Sequence, residues 1–171
     1  MKPILTFFAL LSFSWAIGQA FTGNGDVKFQ VAGNFQNHGT GIMGSLDFGL
    51  GDNISFGFSS AYLLGVETRR NSEGERVPVP GFKDRFDLKG RFHANLGNVF
   101  NMNPQFDIYP GLDLSLKNFG GHLGFRYFFT YGFGVFTEVN FPLARYKTGR
   151  LTASEKLHNQ FTVNVGASFG I

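Results

Sequence analysis

Apolar and polar residues alternate with a period of two through eight successive segments of this 171-residue chain. Such a period is typical of β-strands whose two faces differ chemically, because successive side chains of a strand point to opposite sides. In the clearest segment, 85–96, Phe86 and Phe92 occupy one phase, and Lys89 and Arg91 occupy the other. No segment carries a helical period. The pattern therefore predicts an all-β chain of eight antiparallel, up-and-down strands.

The composition excludes several classes of protein. The chain has no cysteine, which excludes a disulfide scaffold, and its net charge of +3 does not suggest a nucleic-acid-binding surface. A hydrophobic content of 43% with 16% charged residues argues against disorder. The mean hydropathy of −0.03 argues against a bundle of membrane helices, each of which needs about 20 consecutive apolar residues. These totals alone favour a small soluble β domain.

The N-terminus has the organisation of a signal peptide. A positive start at Lys2 precedes an apolar run at 4–17, and the small residues Gly18 and Ala20 occupy positions −3 and −1 of a cleavage site. We therefore predict a cleavable signal peptide at 1–20 and a single barrel domain at 21–171. The alternative is a retained membrane anchor, for which the apolar run is short.

An eight-stranded alternating pattern fits either a soluble barrel with an apolar lumen or a membrane barrel with an apolar exterior. The apolar phase is dominated by large residues, mainly Phe, Leu, Val and Ile, and the polar phase by Gly, Ser, Ala and Asn. An eight-stranded interior is only just wide enough to be filled by side chains, so the small polar phase fits inside and the large apolar phase does not. The volumes favour a transmembrane β-barrel with an apolar outside and a polar, charged lumen.

Charged residues within the strands all share the polar phase. They are equally divided between positive and negative, so they can neutralise one another inside a narrow lumen, as buried charges must. We expect this lumen charge network to comprise Asp26, Lys28, Asp47, Arg85, Asp87, Lys89, Arg91, Asp107, Asp113, Lys117, Arg126 and Glu138.

The connections between strands differ in length. Those predicted at one end of the barrel are 37–41, 67–83, 118–121 and 146–157, and those at the other end are 51–53, 97–105 and 130–132. The two long polar loops, 67–83 and 146–157, share the first end, which we expect to be the outer one. Their basic residues suit the phosphates of lipopolysaccharide. The candidate outer-loop binding residues are Arg69, Arg70, Arg76, Arg145, Lys147, Arg150 and Lys156.

Two prolines, Pro110 and Pro142, lie inside strand patterns. Proline has no backbone N–H and removes one hydrogen bond from a sheet. We therefore expect a bulge or a local break in strand pairing near each of them.

The C-terminal strand, 164–171, resembles the β-signal that the outer-membrane assembly machinery recognises. Gly166, Phe169 and Ile171 carry the resemblance, with isoleucine where the terminal residue is usually aromatic. This similarity implies the assembly machinery as a partner.

The mature chain resembles small outer-membrane β-barrels of the OmpX/OmpA transmembrane-domain type. The stretches 25–30 (GDVKFQ), 95–99 (NLGNV) and 118–124 (NFGGHLG) are similar to an uncharacterised family of such barrels from Gram-negative bacteria. The resemblance implies the fold, an outer-membrane location and contact with outer-membrane lipid. It implies no activity, because a shared fold does not transfer a function.

Three functional classes remain open. The leading one is a structural or surface-recognition barrel, a monomer whose loops meet an extracellular ligand that the sequence does not identify. A narrow small-ion pore is the second, although a lumen crossed by ion pairs should be plugged. A lipid-modifying enzyme is the third.

The four histidines offer no convincing catalytic group. His38, His122 and His158 are expected near the outer rim and His93 in the lumen, and only His38 with Ser72 suggests a nucleophile and a base. No spacing supports a metal site. We predict no catalytic residue, no cofactor and no metal.

Overall fold

The computed structural model describes residues 18–67, 80–147, 149, 152 and 154–171. Most of the predicted signal peptide, 1–17, lies outside the described residues. So do the candidate binding residues Arg69, Arg70, Arg76 and Arg150, together with Ser72.

Eight antiparallel strands form a closed barrel in which each strand pairs with its neighbour in sequence and the last pairs with the first. This confirms the predicted fold class. The strands are β1 (Val27–Gln36), β2 (Gly39–Gly49), β3 (Ile54–Val66), β4 (Phe86–Ala94), β5 (Phe106–Ser115), β6 (Asn118–Thr130), β7 (Phe133–Arg145) and β8 (Thr162–Gly170).

The connections define two ends of the barrel. The end that carries the β1–β2, β3–β4, β5–β6 and β7–β8 connections is called the loop end, and the opposite end is called the turn end. Two connections at the loop end are shorter than predicted, because β2 already begins at Gly39 and β6 at Asn118. The predicted loop 67–83 also leads into a one-turn helix, α1 (Phe82–Arg85), which packs Phe82 against Tyr62.

Both prolines disturb strand pairing as expected. Next to Pro142, the pairing of β6 with β7 skips Leu143, which forms a bulge. The pairing of β4 with β5 covers Lys89–His93 and Gly111–Ser115 and stops just before Pro110. In each case the missing proline N–H falls where the hydrogen-bonded pairing is interrupted.

The two faces of the strands differ as the alternation predicts. The outer surface is lined with large apolar side chains such as Phe58, Leu112 and Val135, which are about half exposed, and the interior is filled with polar and charged groups. The buried apolar core inside the barrel is a small cluster of Ala32, Met43, Ala61 and Phe136. Within the described ranges, no helix is long and apolar enough to cross a membrane.

Tight packing inside the barrel depends on glycine at particular positions. Gly124 of β6 pairs with Tyr109 of β5, and a Cβ atom on Gly124 would lie 2.0 Å from Cζ of the Tyr109 ring. The Tyr109 side chain is fully buried and fills the space that the glycine leaves. A methyl group at position 124 must therefore displace the ring.

We expect Gly124→Ala to lower the free energy of unfolding by about 1–3 kcal/mol, the usual cost of overpacking a core. Unfolding in urea, followed by far-UV circular dichroism, measures this change. In the double variant with Tyr109→Ala the clash is absent, so the effect of the added methyl group should shrink. Equal effects of Gly124→Ala with and without the ring would contradict the packing explanation.

Candidate functional site

Most residues of the predicted lumen charge network lie inside the barrel. Nine of the twelve predicted residues are buried there, and Arg85, Lys89 and Lys117 are half-buried towards the loop end. The buried nine are Asp26, Lys28, Asp47, Asp87, Arg91, Asp107, Asp113, Arg126 and Glu138.

Arg91 lies at the centre of this network. Its guanidinium contacts the carboxylate of Glu138 on β7, and its Nε lies 3.5 Å from Oδ1 of Asp47 on β2. Asn140 donates a second hydrogen bond to Glu138, from Nδ2 to Oε1 at 2.9 Å. One cation thus joins two carboxylates that belong to non-adjacent strands, and all three groups are almost wholly excluded from solvent.

A second guanidinium, that of Arg126, lies nearer the turn end. Its Nη2 and Nε donate to Oδ2 of Asp107 at 2.8 and 3.2 Å, and it also contacts the side chain of Asn95. The guanidinium lies 4.6 Å from the centre of the Tyr109 ring. Closer still to the turn end, Lys28 and Asp26 form a buried ion pair at 2.5 Å.

Two histidines meet in the middle of the interior. His122 contacts Oδ1 of Asp113 through Nδ1 at 2.9 Å, and its ring lies 5.4 Å from that of His93, centre to centre. The placement of His122 near the rim was wrong. Because β6 begins four residues earlier than predicted, His122 lies four residues inside the strand rather than at its start, and it is buried.

The lumen is filled rather than open. Towards the loop end, side chains from several strands, Asn34, Asp87, Lys89 and Glu138 among them, enclose a cavity of about 10 Å³. Such a volume is close to the minimum that holds a single water molecule. The described side chains around this cavity therefore leave room for about one water molecule.

The turn end is closed by a segment for which the sequence suggested no structural role. Residues 18–25 cross this end, where Ala20 donates its N–H to the carbonyl of Pro104 at 2.8 Å and Phe21 is buried below Arg126. Thr22 N–H donates to Oδ2 of Asp26 at 2.8 Å. Cleavage at the predicted position, after Ala20, would leave residues 21–25 of this segment on the barrel.

Exposed basic residues stand at the loop end. Arg145, Lys147 and Lys156 are all exposed, and Lys147 donates to Oε1 of Glu155 at 2.6 Å. Hydrogen bonds from Lys147 and then from Thr152 lower the pKa of Glu155 to about 2. The ring of the rim residue His38 contacts Oε2 of Glu67 through Nδ1 at 2.7 Å.

The residues of the proposed assembly signal occupy three different environments on β8. Gly166 lies against β1, where a Cβ atom would come within 2.0 Å of the Val31 carbonyl oxygen. Phe169 faces outwards and packs its ring on those of Phe29 and Phe133. Ile171 is mostly exposed at the turn end.

Comparisons with known proteins agree with the architecture and name no activity. No curated protein matches the chain. The model of a family described as "Family of unknown function (DUF6646)" matches residues 11–171. A solved structure entitled "De novo design of transmembrane beta-barrels" is similar with a TM-score of 0.54 and 9% sequence identity, over 88% of this chain and 98% of that one.

Proposed function

The chain belongs to this family of unknown function, and from its architecture we propose that it is a small barrel of the bacterial outer membrane with a structural or surface-recognition role. In this proposal residues 1–20 direct export, the barrel is a monomer in outer-membrane lipid, and the loops at 67–83 and 146–157 face outwards. The likeness to OmpX-type barrels remains part of the proposal.

The main support for this proposal is that polar and charged side chains fill the interior while large apolar side chains cover the outside. Monomeric soluble proteins rarely expose continuous apolar patches larger than a few hundred Å². Here Phe, Leu, Val and Ile side chains are exposed on strands all around the barrel, for example Val31, Phe58, Leu88, Leu112 and Val165. A hydrocarbon environment stabilises such a surface, and the closed barrel satisfies the backbone hydrogen bonds that lipid cannot.

An asymmetry of charge between the two ends supports the proposed orientation. Among the described residues, the exposed or half-exposed Lys83, Arg85, Arg145, Lys147 and Lys156 belong to the loop end. The turn-end connections 50–53, 95–105 and 131–132 contain one charged residue, Asp52. Cations at one rim suit the phosphates of lipopolysaccharide in the outer leaflet, because charge-assisted hydrogen bonds to phosphate are strong. The same rim is where an extracellular ligand would be met.

Residues Gly166, Phe169 and Ile171 are proposed to act as the signal for the outer-membrane assembly machinery. The outward-facing ring of Phe169 supports this role, because it is accessible before the barrel is surrounded by lipid. Gly166, by contrast, is required for close packing of β8 on β1 and contributes to the folded barrel itself.

The filled lumen predicts that the barrel does not act as a general pore. Reconstituted into planar bilayers, the protein should show no stable channels large enough to pass sugars, with at most small-ion leakage. The physical reason is that buried ion pairs and hydrogen bonds occupy the cross-section, as at Arg91, Glu138 and Asp47. Stable sugar-permeable channels would contradict this part of the proposal.

The membrane assignment has a direct biochemical test. After expression with its N-terminal segment, the protein should appear in the outer-membrane fraction, and the folded form should migrate differently from the boiled form on a denaturing gel. Recovery from the soluble fraction would overturn the proposal. The proposed role includes no catalytic step, so lipid A from cells with and without the protein should have the same acylation pattern.

A further inference from the structure

The connection between β7 and β8 folds back over the mouth of the barrel at the loop end. Its residues 154–160 are called the lid. Three consecutive lid residues, Leu157, His158 and Asn159, are buried although they belong to a connection. Of the three, His158 lines the small cavity inside the loop end.

Hydrogen bonds attach the lid to two strands of the barrel wall, β1 and β6. On β1, the side-chain oxygen of Gln36 accepts hydrogen bonds from the His158 backbone N–H at 2.8 Å and from Gln160 Nε2 at 3.1 Å. On β6, Asn118 Nδ2 donates to the His158 carbonyl at 2.9 Å and to Oδ1 of Asn159 at 2.8 Å. These contacts position the His158 imidazole between β1 and the end of α1.

The imidazole itself makes two contacts that require its neutral form. Nε2 lies 2.7 Å from the carbonyl oxygen of Arg85, which can only accept, so Nε2 carries the proton. Nδ1 lies 3.4 Å from Nε2 of Gln36, which can only donate, so Nδ1 must accept. The Gln36 amide cannot turn to accommodate a second imidazole proton, because its oxygen already accepts the two bonds that hold the lid.

The charged groups around His158 also disfavour a positive charge there. Lys89 and Lys117 approach it from β4 and from the β5–β6 connection, and Arg85 belongs to α1. The carboxylates of Asp87 and Glu138 line the same cavity, but the first accepts a hydrogen bond from Ser115 and the second pairs with Arg91. The facing residues of β1 and β8, Asn34, Thr162 and Asn164 among them, are uncharged.

We propose that neutral His158 is a latch that holds the lid in the mouth, and that protonation of this imidazole releases the lid. The latch rests on hydrogen bonds inside the loop end, so it does not depend on the proposed membrane role. In the released state the chain keeps its barrel and exposes the polar mouth that Gln36, Asn118 and Lys117 surround.

The direction and size of the pH effect follow from the burial of the imidazole. Burial, together with Lys117 and Lys89, lowers the pKa of His158 from 6.5 to about 4, although its bond to the Arg85 carbonyl acts in the opposite direction. A released lid binds its proton near pH 6.5 and a closed one near pH 4. The ratio of closed to released lid is therefore highest above pH 6.5. It falls about a hundredfold as the pH is lowered to 4.

A spin label on the lid tests this inference. The chain has no cysteine, so Lys156→Cys provides a single attachment site on an exposed lid residue. In detergent micelles the label should be restricted at pH 7.5 and become mobile at pH 4, with the barrel intact by circular dichroism. His158→Gln keeps one donor and one acceptor without titrating, so its label should remain restricted at both pH values.

A charged substitution tests the same latch without acid. At pH 7.5, the label on the His158→Lys variant should be as mobile as that of the wild type at pH 4, whereas His158→Gln at pH 7.5 should not. An equal response of wild type and His158→Gln to acid would overturn the proposal. So would a restricted label in the His158→Lys variant at pH 7.5.

Discussion

Replacing Arg91 by methionine is expected to lower the free energy of unfolding by about 3–5 kcal/mol, because the change leaves two buried carboxylates without a cation. Glu138 and Asp47 both contact Arg91 and are almost wholly buried. Both carboxylates face inwards, and both are almost wholly excluded from solvent. The measurement is equilibrium unfolding in urea, followed by far-UV circular dichroism and by the gel mobility of the folded form.

Two further variants separate loss of charge balance from loss of packing. Lys147→Met removes an exposed cation that pairs with Glu155 and should leave the free energy of unfolding almost unchanged, because water screens an exposed ion pair. The triple variant Asp47→Asn, Arg91→Met, Glu138→Gln leaves no unpaired charge and should recover most of the loss. If Arg91→Met were as stable as Lys147→Met, the ion pairs of Arg91 would not stabilise the barrel as we expect.

Placing arginine on the outer face at Phe58 is expected to cost roughly 2–4 kcal/mol when the barrel is folded in lipid vesicles. Phe58 lies outwards near the middle of β3, so its replacement would put a charge at the centre of the bilayer. In a barrel surrounded by water, the same change at an exposed position would alter stability by about 0.5 kcal/mol or less. The free energy of unfolding in vesicles therefore distinguishes the two environments.

Leu50 provides the matched control, because it is also exposed and apolar but lies at the turn end, just after β2. Near the membrane surface an arginine costs only about 0–1 kcal/mol. A large effect at Phe58 with a small one at Leu50 is the expected result. Equal effects at the two positions would contradict a membrane-spanning barrel and would leave the closed lumen and the lid unaffected.

Much of the fold follows from local chemistry along the chain. The alternation of apolar and polar residues assigns each strand residue to a face, because the side-chain period of a strand is two. Arg91, Glu138 and Phe58 were all assigned correctly in this way. The prolines could be interpreted too, since the bulge beside Pro142 follows from the hydrogen bond that proline cannot donate.

Depth along the barrel axis could not be inferred from the alternation. A period of two says which face a residue occupies, but its height depends on where the strand begins and on its register with its neighbours. His122 illustrates the difference: its phase was assigned correctly, and the early start of β6 moved it from the expected rim into the interior beside His93. The partners of Arg91 could not be predicted either, because Glu138 lies 47 positions away in sequence and only the strand register brings the two together.

No pattern in the sequence predicted the two segments that cover the ends of the barrel. Residues 18–20 were interpreted as the end of the signal peptide, and 154–157 as part of the polar loop 146–157. Their positions depend on hydrogen bonds to distant groups, such as Gly49 for Gly25 and Gln36 for His158.

The sequence by itself determined the eight strands and the face that each strand residue occupies, because these properties are local and periodic. Only the tertiary structure decided which charges meet, how deep His122 lies and how residues 18–25 and the lid close the ends, because these depend on register and on long-range hydrogen bonds.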